Sequence, residues 1–123
     1  MKKTLNNARM AEMLHQLDPL LPRRDLLGYA AARNYRILSN SLTEYEAFRR
    51  ELIEKYGEED TDENGVSMVA IKIGTPNFKA FCDELAPFNA MEHEVDLMTV
   101  KYTEAVGNLS GEEILGIDWM LED

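Results

Sequence analysis

Cysteine is nearly absent: Cys82 is the only one in 123 residues. That excludes an internal disulfide and a multi-cysteine zinc site, and it fits a reducing compartment. Histidine occurs twice, at His15 and His93. Neither has a second His or Cys at ligand spacing on a shared helix, and His93 lies in an alternating Glu92-His93-Glu94 run whose side chains do not share a face. The seven glycines are scattered, so no glycine-rich loop exists to cradle a phosphate. No apolar run approaches the length of a membrane span, and Met1-Lys2-Lys3 is not followed by a signal-peptide core. The expectation is a soluble intracellular protein without metal or cofactor, not an enzyme.

Positive charge is scarce in one half only. Residues 1–55 hold ten Lys/Arg and seven Asp/Glu, a net +3, whereas residues 56–123 hold three and sixteen, a net −13. If the two halves occupy different faces, the molecule is polarised. The acidic half repels a phosphate backbone, so it serves as a solubilising surface or as a docking surface for a basic protein.

With 45% hydrophobic residues over 123 positions, one globular domain is expected without staples, helical over about 6–57 and mixed β/α over about 66–123. The dominant stretch is Pro22 to Tyr56. Leu27, Ala31, Tyr35, Leu38, Leu42, Tyr45, Leu52 and Tyr56 fall on one helical stripe, which Arg49 interrupts. Pro22 suits the first turn and Gly57 a left-handed C-terminal cap. Gly28 and Ser39-Asn40-Ser41 are the weak points of this long central helix.

Before it, Lys2 to Leu5 reads as a short edge strand ending at Asn6. Asn6 caps a helix that runs to Asp18-Pro19. After it, Asn64-Gly65 is a turn signal, and Val66 to Ile73 reads as a strand with Val69, Ile71 and Ile73 toward the core. Thr75 and Pro76 start a short helix that carries Phe78, Phe81, Cys82 and Leu85 on one face and ends before Pro87, with Cys82 a buried, inert thiol. Residues 88–91 form a loop, and 92–101 a second strand pairing antiparallel with 67–73. After a loop at 103–109, Ser110 and Glu113 form a capping box for a terminal helix containing Ile114, Leu115, Ile117, Trp119 and Leu121. The fold class is α+β: a long central helix with an N-terminal helix, a small antiparallel sheet and two short helices.

Two stretches are candidate interaction surfaces. Glu58, Glu59, Asp60, Asp62 and Glu63 form the most acidic run. Asp60-Thr61-Asp62-Glu63-Asn64-Gly65 matches the first half of a calcium loop, but the eighth position is Ser67, and the twelfth, where a bidentate Glu belongs, is Ile71. A solvated turn is the better reading. Arg23, Arg24, Arg33 and Arg36, interleaved with Tyr29 and Tyr35, could hold a phosphate or nucleic acid. An amphipathic helix whose arginines pair with the acidic second half is favoured over that.

The segments LIEKYGEEDTDENG, NFKAFCDELAPFNA, EHEVDLMTV and LSGEEILGIDWMLED, in this order, resemble a family of small proteins of unknown function encoded by tailed phages and prophages of Gram-positive bacteria. The resemblance implies a product acting in the bacterial cytoplasm or in a virion. It carries no functional residues. The leading expectation is a protein–protein interaction module with a phage or host partner, or a self-associating one, in an assembly or minor structural role. The alternative is an acidic inhibitor of a host defence or nucleic-acid enzyme. Nucleic acid and membrane are not expected partners.

Overall fold

The computed structural model describes residues 1–61 and 63–123. The chain is α+β, and its packing divides it into two compact units, Met1–Leu42 with Glu92–Asp123, and Thr43–Met91.

In the first unit, β1 (Lys2–Asn6) pairs antiparallel with β4 (Glu92–Asp96), Lys2 opposite Asp96 and Leu5 opposite His93. Asn6 caps α1 (Asn7–Leu17), its side chain accepting from the Arg9 N–H at 2.7 Å. α2 (Leu26–Ser41) starts later than Pro22 suggests, because Asp25 is the cap and accepts from the Gly28 N–H at 3.2 Å. Pro22 therefore precedes the helix. The core is built from Met10, Met13 and Leu17 of α1 and Leu27, Ala31 and Leu38 of α2, with Val95, Leu97 and Met120. These recur at three-, four- and seven-residue steps along the helices, the condition for one buried face. Gly28 is required by close approach, since a Cβ there would fall on the Arg23 carbonyl.

The Pro22–Tyr56 helix is not continuous. Leu42 closes α2, donating to the carbonyls of Leu38 (3.0 Å) and Ser39 (3.2 Å), and α3 begins at Thr43. The break follows Ser39-Asn40-Ser41, whose short polar side chains compete with helical backbone bonds.

The end of the chain departs further from expectation. β5 (Val100–Lys101) pairs in parallel with β6 (Leu121–Glu122). Between them lie α5 (Tyr102–Ala105) and α6 (Gly111–Gly116), so the 103–109 stretch is part helix. The Ser110–Glu113 capping box is present in both directions, at 3.0 and 3.1 Å. The terminal helix stops at Gly116. A single 3-10 turn, Asp118–Met120, then leads into β6. Trp119 donates to Gln16 Oε1 at 2.9 Å.

In the second unit, α3 (Thr43–Tyr56) and α4 (Pro76–Asn89) pack together. Phe48 and Phe88 have ring centroids 4.1 Å apart. Arg49, the residue that interrupts the stripe, is exposed with its guanidinium 6.0 Å from the Phe81 centroid. The Tyr45 hydroxyl donates to Asn89 Oδ1. Thr75 caps α4, accepting from Phe78 N–H at 3.2 Å. The helix runs through Pro87 to Asn89. Pro87 falls in its last turn, where the missing N–H removes one bond only.

β2 (Glu58–Thr61) and β3 (Ser67–Ala70) form an antiparallel hairpin. β3 was expected to pair with β4, but the Asn64-Gly65 turn closes it onto the nearer β2, and a short loop costs less entropy to close. Gly65 has φ +78°, as such a turn needs. Gly57 is not a left-handed cap, since the positive-φ glycines are Gly65, Gly74 and Gly107. Its place is set by space, as a Cβ would meet Ile53 O and Val69 Cγ1. Among the described residues no helix is long and apolar enough to cross a membrane.

Candidate interaction surfaces

Extended backbone sends successive side chains to opposite faces. In β2, Glu58 and Asp60 therefore share one face of the hairpin, and Glu59 takes the other. Opposite them stand Ala70, Met68 and Val69 respectively. Every carboxylate of the strand thus faces an apolar residue, and no cation lies across from it. Glu58, Glu59 and Asp60 are exposed. None of them takes part in an ion pair among the described residues. Asp60 accepts from the Thr61 N–H at 2.9 Å. Glu63 is exposed in the turn, and Asp62 lies outside the described residues.

The apolar side of the hairpin corrects the expectation from alternation. Val69 is 45% exposed, Met68 50% and Ile73 84%. The strand ends at Ala70, so Ile71 and Ile73 are not in it. A two-stranded ribbon has too little area to cover both of its faces.

At its base an open groove of about 220 Å³ is lined by Tyr56, Glu58, Lys72, Thr75 and Asn77. Thr75 Oγ1 donates to Lys72 O at 2.7 Å, which fixes this corner. Lys72 itself is exposed.

The basic residues are not one surface. The Arg23 guanidinium is engaged by Asp25, with Nη2 2.6 Å from Oδ2 and Nε within 3.2 Å of both carboxylate oxygens, while Nη1 reaches Asn108 O at 3.3 Å. The hydrogen bond to Asp25 raises the Arg23 pKa, and the same bond holds the Asp25 carboxyl below its ordinary range. Arg23 therefore finds its carboxylate within its own stretch, not in the acidic second half. Arg24, Arg33 and Arg36 are exposed. Tyr29, Arg33 and Arg36, at four- and three-residue steps, occupy one exposed face of α2. Tyr29 and Arg33 line a shallow groove with Asp96, Leu97 and Met98. Tyr35 is half-buried.

Charge is not divided as the order of residues suggests. The first unit carries eight Lys/Arg and twelve Asp/Glu, a net −4, and the second five and eleven, a net −6. The basic opening and the acidic close fold into the same unit, with Lys2 opposite Asp96 across the β1–β4 ladder.

Cys82 is exposed, not buried. His15 is exposed beside Asp18, with Nδ1 to Oδ2 at 3.7 Å, and His93 sits on β4. Among the described residues no three His, Cys, Asp or Glu side chains group as a metal site would require. Asp60 and Thr61 of the calcium-like pattern lie in β2.

Sequence reasoning missed Asn34. It is fully buried in the α2 seam, Nδ2 donating to Met98 O at 2.9 Å and Oδ1 accepting from Met98 N at 2.7 Å. A polar residue three positions from Ala31 and four from Leu38 was the signal for it. No protein-family model, no curated protein and no solved structure matches the chain.

Proposed function

We propose that the chain works by binding another protein through the acidic hairpin, as an assembly or minor structural component of a phage or prophage, in the bacterial cytoplasm or in a virion. The observation that carries this reading is β2 itself. Three consecutive carboxylates, Glu58, Glu59 and Asp60, are exposed and join no ion pair among the described residues, beside the exposed Met68 and Val69. A partner bearing Lys or Arg next to apolar side chains satisfies both halves of that surface, and electrostatic attraction speeds its approach. The test is a pull-down from infected or lysogenic cells with the intact chain and with a Glu58→Gln, Glu59→Gln, Asp60→Asn variant. Virion or morphogenesis proteins held by the first and lost by the second support the proposal. Recovery of metabolic enzymes alone sinks it.

The same three carboxylates favour one other reading, an acidic inhibitor that occupies the basic groove of a nucleic-acid or defence enzyme. It predicts salt-sensitive binding to a basic host protein, which the same triple variant abolishes.

A further inference from the structure

The two strands of the hairpin differ in a way that partner binding does not explain. β2 reads Glu58-Glu59-Asp60-Thr61, and β3 reads Ser67-Met68-Val69-Ala70 with no charge. Among the described residues no third strand pairs with either. Among the described residues, no hydrogen bond from outside the hairpin reaches Ser67–Ala70. An uncharged, apolar strand with an open row of N–H and C=O groups is a template for another strand. On β2 the carboxylates guard the edge, and one donor, the Thr61 N–H, is already taken by Asp60. Natural sheets protect edges with charge in this way. Here one edge is guarded and the other is not.

We infer that two copies of this chain join through the edge of β3, antiparallel, as a four-stranded sheet in the order β2–β3–β3–β2. Other pairings of the hairpin fail on charge or on closure. A β2–β2 contact sets like charges opposite each other, which is destabilising. A β2–β3 contact leaves one open edge on each side and propagates without end. The β3–β3 contact is two-fold symmetric and closes. It covers Met68 and Val69 and leaves an acidic strand at each outer edge, where a third copy is repelled. It also widens the ribbon to four strands, and three or more strands with an apolar face are more stable than an isolated pair.

Lys72 fits this arrangement. It is exposed and joins no ion pair among the described residues. In any antiparallel register centred on Met68 or Val69, Lys72 of one copy stands opposite residues 64–66 of the other, one to three residues from Glu63. Two such pairs form, one at each end of the new ladder.

This inference does not need a basic partner, and its outer strands leave Glu58, Glu59 and Asp60 open to one. Sedimentation equilibrium of the intact chain, from micromolar to millimolar concentration, tests it. The expected result is a mass rising from 14.1 kDa to twice that. Met68→Glu, at a half-exposed site that the fold does not rely on, raises the dissociation constant by about tenfold or more. Lys72→Glu weakens the dimer too, and the triple β2 variant does not. Circular dichroism confirms that each variant keeps its helices. A chain that stays monomeric throughout overturns the inference, as does a dimer indifferent to Met68→Glu. A dimer that recovers no protein partner from cells sinks only the proposed function, and a monomer that does recover one sinks only this inference.

Discussion

Asn34 holds the backbone of Met98 by both ends of its amide, donating to the carbonyl at 2.9 Å and accepting from the N–H at 2.7 Å. The side chain thus replaces the neighbouring strand that a peptide group at this depth would otherwise need. Asn34→Ala leaves the Met98 N–H and C=O without that partner, at a cost of about 2–3 kcal/mol. Asn34→Asp keeps the acceptor but sets an oxygen against the Met98 carbonyl, so it does not rescue. Urea denaturation should show both variants with lower midpoints and an unchanged slope.

Two glycines make opposite predictions. Gly28 sits in the first turn of α2 with the Arg23 carbonyl where a Cβ would go. Helix propensity favours Gly28→Ala, but the clash outweighs it, and the variant loses about 1–3 kcal/mol. Gly116 ends α6 with nothing within 4 Å of its would-be Cβ and no positive φ. There Gly116→Ala is neutral or gains up to about 1 kcal/mol. Thermal melts of the two variants should move apart, with Gly28→Ala below the parent and Gly116→Ala at or above it.

Glu84 ties α4 to the end of α3. It accepts from the Tyr56 hydroxyl at 2.8 Å and the Lys55 ammonium at 3.3 Å. The Tyr56 hydrogen bond, more than the lysine, holds its carboxyl below the ordinary value of 4.5. A carboxyl depressed in the folded state contributes stability in full above its unfolded pKa. That contribution is lost as pH falls through the folded value. The difference in urea midpoint between the parent and Glu84→Gln should be constant from neutrality down to the ordinary carboxylate range, then close in more acid solution. A difference that persists unchanged there would show that Glu84 acts by packing alone.

Local signals were legible. Asn6, Thr75 and Ser110 each cap the helix expected of them, because a cap is decided within four residues. The turn at Asn64-Gly65 followed in the same way. Pairing was not legible, since it depends on residues far apart. β4 takes β1, some ninety positions away, and β6 returns to β5 in parallel. Alternation in Val66 to Ile73 marks an extended strand, yet it does not say that anything covers one face. Hence Val69 and Ile73, expected in the core, are exposed. Glu58, Glu59, Asp60 and Glu63 lie open, as the charge density of the acidic run suggests. The arginine group dissolves because Asp25, two residues from Arg23, is nearer than any acid of the second half.

Cys82 shows how a one-residue error in a helical face changes chemistry. From Phe78 and Leu85 it is four and three residues away, which suggests a shared apolar stripe. The buried line of α4 instead runs through Phe81 and Leu85, with Phe78 and Phe88 half-covered. Cys82 follows Phe81 by one residue, about 100° around the helix, and that turn carries it into solvent. An exposed thiol needs no unfolding to react. A chromogenic disulfide reagent should titrate one thiol per chain in native buffer, at a rate close to that in denaturant. Cys82→Ser removes no buried contact and should leave stability within about 0.5 kcal/mol of the parent. Labelling that appears only in denaturant would move Cys82 back into the apolar face, and with it the packing of α4 on α3.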